Sequence, residues 1–370
     1  MTFVLILLAV VCLAYANGAN DNFKGVATLL GSGTANYRGA LIWATITTLL
    51  GSLTAVLLAG ALLKNFSGRG LVGDELVAQP DFVAAVALAA GLTVLLATRI
   101  GMPISTTHSL IGALVGAGLA AGSAVNVASL AGDFFLPLLL SPVIAIVATT
   151  VCYLALHQVR QALGITAQSC FCVGTEVIEI VPVLHSTAVV ERIEKLTAQV
   201  GNAVTCRSRY QGKCFGWEVG PVFDQLHFLS AGAVSFARGL NDTPKIAALL
   251  LIVPLLGNFG STALVGLAIA LGGLLSARRV AEMMSQKITP MNHGQGFTAN
   301  LVTSLVVIGA SLVGKPVSTT HVSCGALFGI GTITRQAKWG TIAMILVAWV
   351  TTLPVGVLLG AVCYSVLAAI

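Results

Sequence analysis

Gly18-Ala19-Asn20-Asp21-Asn22-Phe23-Lys24 interrupts an otherwise apolar stretch, and 221 positions later Gly239-Leu240-Asn241-Asp242-Thr243-Pro244-Lys245 does so again. An ionisable side chain flanked on both sides by apolar, helix-like sequence is expensive in lipid and marks a candidate functional site. Gly, Asn, Asp and Lys recur in the same order, so the chain reads as a scaffold that brings two copies of one motif together. A second pair agrees. Gly101-Met102-Pro103-Ile104-Ser105-Thr106-Thr107-His108 returns, 213 positions on, as Gly314-Lys315-Pro316-Val317-Ser318-Thr319-Thr320-His321. The echo extends through Gly112-Ala113 and Gly325-Ala326, and through Gly116, Gly118 and Gly329, Gly331.

The surroundings are those of a membrane protein. Of 370 residues, 56% are hydrophobic and 9% charged, with a mean hydropathy of +0.95; soluble domains carry about a quarter charged residues. Continuous rather than alternating apolar runs exclude an outer-membrane barrel. The net charge of +6 comes without a basic cluster. It fits cytoplasmic loops of a multi-pass protein in the cell (plasma) membrane, with the lipid bilayer and not nucleic acid as partner. The apolar start lacks a basic leader region and a clear cleavage site, so it reads as a retained first span.

Candidate spans cover residues 1–16, 39–63, 82–98, 104–122, 134–157, 223–237, 259–276, 297–313, 317–331 and 342–369. Spanning takes roughly 20 helical residues, so an all-α polytopic fold of about 10–12 transmembrane segments is expected. Residues 22–33 and 243–256 are too short or too interrupted for full spans and read as half-helices or re-entrant pieces. Three regions follow: 1–157 as a first membrane repeat, 158–222 as a central cytoplasmic segment, and 223–370 as a second repeat. Five crossings in the first repeat would invert the second. With the N-terminus outside, the cytoplasmic side receives Arg38, Arg99, Arg160, Arg278, Arg279, Lys287, Arg335 and Lys338, against Lys64, Arg69 and Lys315 outside. That asymmetry has the sign the positive-inside rule requires, and favours two inverted repeats.

Proline at the head of each Ser-Thr-Thr-His run presets a first helical turn. The unpaired amides and positive dipole end of such a turn, with its hydroxyls, form an anion site. In inverted repeats the ends carrying Ser105, Thr106 and Thr107 and Ser318, Thr319 and Thr320 would converge near the midplane, where such transporters bind substrate. A tetrahedral oxyanion fits; the alternative is that these hydroxyls only satisfy their own helix starts. Asp21 and Asp242 are acceptors, able to hold a cation such as sodium or to accept from a protonated phosphate oxygen, while Asn20 and Asn241 offer both donors and acceptors. The alternative is that each Asp pairs with the Lys one turn on. His108 and His321 could relay a proton or simply hydrogen-bond the broken helix.

The paired Gly-x-Asn-Asp and Pro-x-Ser-Thr-Thr-His motifs resemble the PiT (inorganic phosphate transporter) family of ion-coupled phosphate permeases. The resemblance spans both halves and leaves out the central segment. It implies a homodimeric secondary transporter for inorganic phosphate. No cofactor is expected beyond a co-transported cation, proton or sodium. Phosphate contacts are implied near Asn20, Asp21, Ser105, Thr106, Thr107, Asn241, Asp242, Ser318, Thr319 and Thr320. One departure matters: many family members follow Asn-Asp with Val-Ala-Asn-Ala, so a family asparagine is Lys24 here and Lys245 in the second copy. These lysines and the two histidines are the coupling candidates, and weakened sodium dependence with proton coupling is expected.

Other classes fit less well. A sulfate permease on the same fold is the nearest, but sulfate carries no proton to offer Asp21 or Asp242. An intramembrane hydrolase using Ser105 or Ser318 lacks an oxyanion framework, so no enzyme is expected. Buried acids argue against an anion channel. In the central segment six Lys/Arg face five Asp/Glu; residues 175–183 suggest a strand and 189–200 a short helix. Cys170, Cys172, Cys206 and Cys214 match no strong metal template, and on the cytoplasmic side thiols are expected to stay reduced.

Overall fold

The computed structural model describes residues 2–166, 168–180, 191–210, 214–253 and 255–370. Ten principal helices correspond to the ten spans read from sequence. In the first half they are α1 (Thr2–Asp21), α2 (Tyr37–Leu58), α3 (Pro80–Arg99), α4 (Thr106–Ala120) and α5 (Leu136–Ala162). In the second they are α6 (Val219–Ala247), α7 (Gly257–Ser276), α8 (His293–Leu312), α9 (Thr319–Ile333) and α10 (Trp339–Leu367). Among the described residues, seven helical stretches are long and apolar enough to cross a membrane. The remaining three differ for clear reasons: α4 and α9 are half-length at 15 residues each, and α6 carries Asp224, Arg238, Asp242 and Lys245. The arrangement is inside-out relative to a soluble protein. Leu57, Leu139 and Val350 are exposed, while Asn17, Asp21, Lys24 and Arg238 are buried, as polar groups at membrane depth must be.

Two boundaries differ from expectation. Helix α1 continues past residue 16 to Asp21, and only then breaks into a 3-10 turn, Asn22–Gly25, and a short helix, Ala27–Ser32. Helix α6 runs unbroken through Asn241, Asp242 and Pro244 to Ala247, where interruption after residue 243 was expected. Buried side-chain partners satisfy the polar residues there, so polarity does not end the helix. Residue 254 of the expected broken stretch lies outside the described residues.

Close backbone approach ties each half to the other, and the contacts are reciprocal. Gly18 of α1 lies against Ile269 of α7, and Gly239 of α6 against Thr48 of α2; Gly18 and Gly239, like Thr48 and Ile269, are 221 positions apart, so the roles of the halves are exchanged. Gly272 against Tyr15 and Gly51 against Phe236 form a second such pair. The half-length helices do the same: Gly116 of α4 packs on Val357 of α10, and Gly329 of α9 on Ile146 of α5. Small residues permit such approach between helices in a membrane. Exchanged contacts of this kind are what a two-fold relation between halves requires.

By contacts the chain divides into Met1–Tyr153 with His227–Ile370, and Leu154–Leu226. The smaller unit holds an antiparallel sheet of β1 (Ser169–Ile180), β2 (Glu191–Asn202) and β3 (Cys214–Glu218) in the order β2-β1-β3. Within the stretch 189–200, expected as a helix, the described residues form β2, which pairs along β1 from Ser169↔Asn202 to Ile180↔Glu191; short segments with mixed charge do not distinguish the two states. Residues 181–183 and 189–190 of those expectations lie outside the described residues. The expectation of reduced thiols is corrected: Cys172 of β1 and Cys206 of the helix Ala203–Arg209 form a disulfide, their Cα atoms 6.1 Å apart. Strand pairing decides this by bringing the two together. The Cys170 sulfur lies within 4.8 Å of both, and Tyr210 completes the buried cluster. The side chain of Cys214, the fourth thiol of the metal reading, lies outside the described residues.

Candidate functional site

The sequence places Asn20-Asp21 at the end of α1 and Asn241-Asp242 near the end of α6, and starts α4 and α9 with the two Ser-Thr-Thr runs. The fold joins all four. Within each run the three hydroxyls take different parts. Ser105 accepts from the His108 amide at 3.2 Å and Ser318 from the His321 amide at 3.2 Å, so each serine caps its own helix, as the plainer reading of the motif had it. The first threonine donates to its own half's carboxylate: Thr106 to Asp21 at 3.3 Å and Thr319 to Asp242 at 3.2 Å. The second threonine faces the opposite half. Lys24 reaches Thr320 Oγ1 at 2.6 Å, and Lys245 reaches Thr107 Oγ1 at 2.9 Å.

The lysines deserve their prominence in the sequence. Lys24 pairs with Asp21, and its Nζ also donates to Asn20 Oδ1 at 2.8 Å and to the Ile104 carbonyl at 2.8 Å. Lys245 Nζ donates to the Val317 carbonyl at 2.7 Å and lies 3.5 Å from Asp242 Oδ1. The expected alternative, an Asp paired with the Lys one turn on, is thus present in both halves. Each such pair lies within one half and stands beside a bond that crosses to the other, Lys24 to Thr320 and Lys245 to Thr107. Asn20 further donates to Thr98 Oγ1 and the Met102 carbonyl and accepts from the Ile104 amide, fixing the approach to α4. Asn241 accepts from Ser311 and donates to the Val317 carbonyl, the corresponding arrangement at α9.

Two pairs of equivalent residues meet each other. The rings of His108 and His321 are 4.7 Å apart, and His321 stacks on Trp349 at 3.8 Å. Trp349 in turn donates to the Pro103 carbonyl at 3.2 Å. Among the described residues, His108 Nδ1 and His321 Nε2 have no hydrogen-bond partner. The second pair, Asn17 and Arg238, occupies equivalent places in the two motifs. Arg238 donates to Asn17 Oδ1 at 3.2 Å, to Asn22 Oδ1 at 3.0 Å and to Thr48 Oγ1 at 3.1 Å. Asn17 donates to both Asp21 Oδ2 and Thr106 Oγ1 at 3.0 Å. Sequence reasoning overlooked Asn17, although its spacing of four from Asp21 puts both on one helix face. Arg238 is fully buried, whereas Arg99 is exposed at the end of α3.

The buried cluster therefore holds three basic side chains, Lys24, Lys245 and Arg238, against two carboxylates, Asp21 and Asp242. An unbalanced positive charge in a dry interior is costly until an anion accompanies it. Beside Lys24 a small cavity is lined by Thr28, Asn300, Thr303 and Ser323; Ser323 Oγ has no hydrogen-bond partner among the described residues.

Comparison with known proteins gives a consistent picture. A protein of Pyrococcus abyssi named as a phosphate permease is 28% identical over 394 residues, covering 96% of this chain and 95% of its own. A "probable low-affinity inorganic phosphate transporter" of Rhizobium meliloti is 27% identical over 361 residues, covering 95% and 92%, and one of Bacillus subtilis is 24% identical over 378 residues, covering 98% and 96%. Among solved structures, one titled "The sodium-dependent phosphate transporter" superposes with a TM-score of 0.74 at 22% identity, over 100% of this chain and 99% of that one. The model of the phosphate transporter family matches residues 17–360, from Asn17 in the first motif to beyond the second Ser-Thr-Thr-His run. The chain is a multi-pass membrane protein and belongs to the phosphate transporter family.

Proposed function

We propose that this chain carries inorganic phosphate across the membrane together with a cation, by alternating access around one site that two inverted halves build jointly. The observation that carries this reading is the pair of crossing bonds, Lys24 to Thr320 and Lys245 to Thr107. They make the two motif copies parts of a single cluster. The surplus of one basic side chain within it suits an anion. The reciprocal glycine contacts and five principal helices per half support the inversion. Phosphate oxygens would accept from first-turn amides of α4 and α9, from the hydroxyl of Thr107, and from those of Thr106, Thr319 and Thr320 once these turn from Asp21, Asp242 and the Ile104 carbonyl, while a protonated oxygen donates to Asp21 or Asp242. Asn20, Asn241, Ser105 and Ser318 hold the helix ends in place. Because the site's groups come from both halves, rocking one half against the other would exchange these bonds and open the site to one side at a time.

The test is uptake of radiolabelled phosphate by proteoliposomes, with excess sulfate as competitor. Uptake is expected to survive sulfate and to fall roughly ten- to a hundredfold in Asp21→Asn and in Asp242→Asn, each losing an acceptor for a charged hydrogen bond. Uptake unaffected by both substitutions would reject the site; competition by sulfate at equal concentration would favour a less selective oxyanion carrier.

A further inference from the structure

We infer that Lys24 and Lys245 are tethered cations, each filling an oxygen nest of the kind a dissolved alkali cation would occupy, so that phosphate binding by this chain requires no sodium. The inference rests on the proposed phosphate function and narrows its coupling cation. Around Lys24 Nζ stand a carboxylate oxygen of Asp21, the amide oxygen of Asn20, the main-chain oxygen of Ile104 and the hydroxyl of Thr320. Carboxylate, carbonyl and hydroxyl oxygens are hard donors, the set that suits hard cations. Three of these groups only accept. The fourth, Thr320, spends its own proton on the Ile104 carbonyl at 2.7 Å. With Asp21 ionised, four acceptors then meet one nitrogen; the three hydrogens of an ammonium serve them with one shared, whereas a neutral amine has only two hydrogens and a lone pair turned on the remaining oxygens.

The arrangement occurs twice. Around Lys245 Nζ stand Asp242 Oδ1, the Val317 carbonyl and Thr107 Oγ1, the equivalents of Asp21, Ile104 and Thr320. Each nest takes its carboxylate and carbonyl from one half and is closed by a threonine of the other. Both lysines are buried, and each side chain is anchored to the backbone that also carries its Asp. A dissolved cation would have to compete with an ammonium it cannot displace far. Both carboxylates are thus neutralised before any ion arrives, and sodium has no vacant set of oxygens here. Filled nests favour the proton over sodium as the co-transported cation.

The full-length protein in proteoliposomes provides the test, with sodium chloride replaced by choline chloride at fixed pH and clamped voltage. Wild-type phosphate uptake is expected at the same rate in both salts. Lys24→Asn and Lys245→Asn, which exchange the ammonium for a neutral oxygen donor, are expected to run roughly tenfold or more faster with sodium, a coupling in the usual range between two sites. Thermal unfolding of the wild type gives a second reading independent of the variants: phosphate should raise Tm equally in both salts. Uptake or stabilisation by phosphate that appears only with sodium overturns the inference and leaves the phosphate function standing. Variants that fold and transport equally in both salts also overturn it. No response to phosphate in either salt overturns the phosphate function itself.

Discussion

Arg238 and Asn17 are equivalents that touch, so the site's charge is unequal about its own centre. Three acceptors, Asn17, Asn22 and Thr48, hold the guanidinium, and no carboxylate lies within ion-pair distance among the described residues. Removing it takes away the surplus charge that recruits an anion. Arg238→Met is expected to raise the KM for phosphate uptake roughly tenfold or more, in line with the loss of one charge-assisted contact. Arg238→Lys should recover part of that loss, since the charge returns without the fork. Equal KM values for all three proteins would show that the arginine only supports packing. Repetition made Asp21, Asp242, Lys24 and Lys245 legible from sequence. Arg238 is also legible beside Gly239 as a residue that could face the cavity, but repetition hid Asn17 as its counterpart: an asparagine and an arginine do not register as copies, and only the fold sets them face to face.

At the scale of elements, what matters is how closely helices approach. A methyl group at Gly116 would lie 1.9 Å from the Val357 carbonyl oxygen. Helices α4 and α10 would have to part, at a cost of about 1–3 kcal/mol by the usual measure of overpacking. Gly309 in α8 is a matched control, helical and exposed with nothing within 4 Å of its would-be Cβ. We expect Gly116→Ala to lower the Tm in detergent and Gly309→Ala to leave it unchanged or raised, as alanine favours helix over glycine. The reverse order would mean that the reciprocal helix contacts do not hold the halves together. Apolar run length made all ten principal helices legible. It misplaced the ends of α1 and α6 because Asn20, Asp21, Asn241 and Asp242 find buried partners that no local rule foresees. It also mistook β2 for a helix, since only the neighbouring strand β1 distinguishes the two.

At the scale of the whole molecule, the proposed inversion has a direct consequence for sidedness. The segment between α2 and α3 and the segment between α7 and α8 are equivalent in the two halves, so inversion puts them on opposite faces of the membrane. Glu75 and Gln286 are exposed in these segments. Cysteines introduced by Glu75→Cys and Gln286→Cys should therefore react with an impermeant thiol reagent from opposite sides, each compared with the parent protein. Labelling from one side only would rule out inverted halves. The duplication itself is legible in the motifs, and charge asymmetry is what favours inversion in the sequence. That the copies interlock, lysine to threonine across the halves, was not, because sequence order carries no information about which helix end meets which lysine. In the proposed function two motif copies make one phosphate site. Equilibrium binding of radiolabelled phosphate to the purified protein tests it most directly. One phosphate per chain is expected, with that single site lost in Asp21→Asn and equally in Asp242→Asn; two phosphates per chain, or one site surviving either substitution intact, would show that the two copies do not share a site.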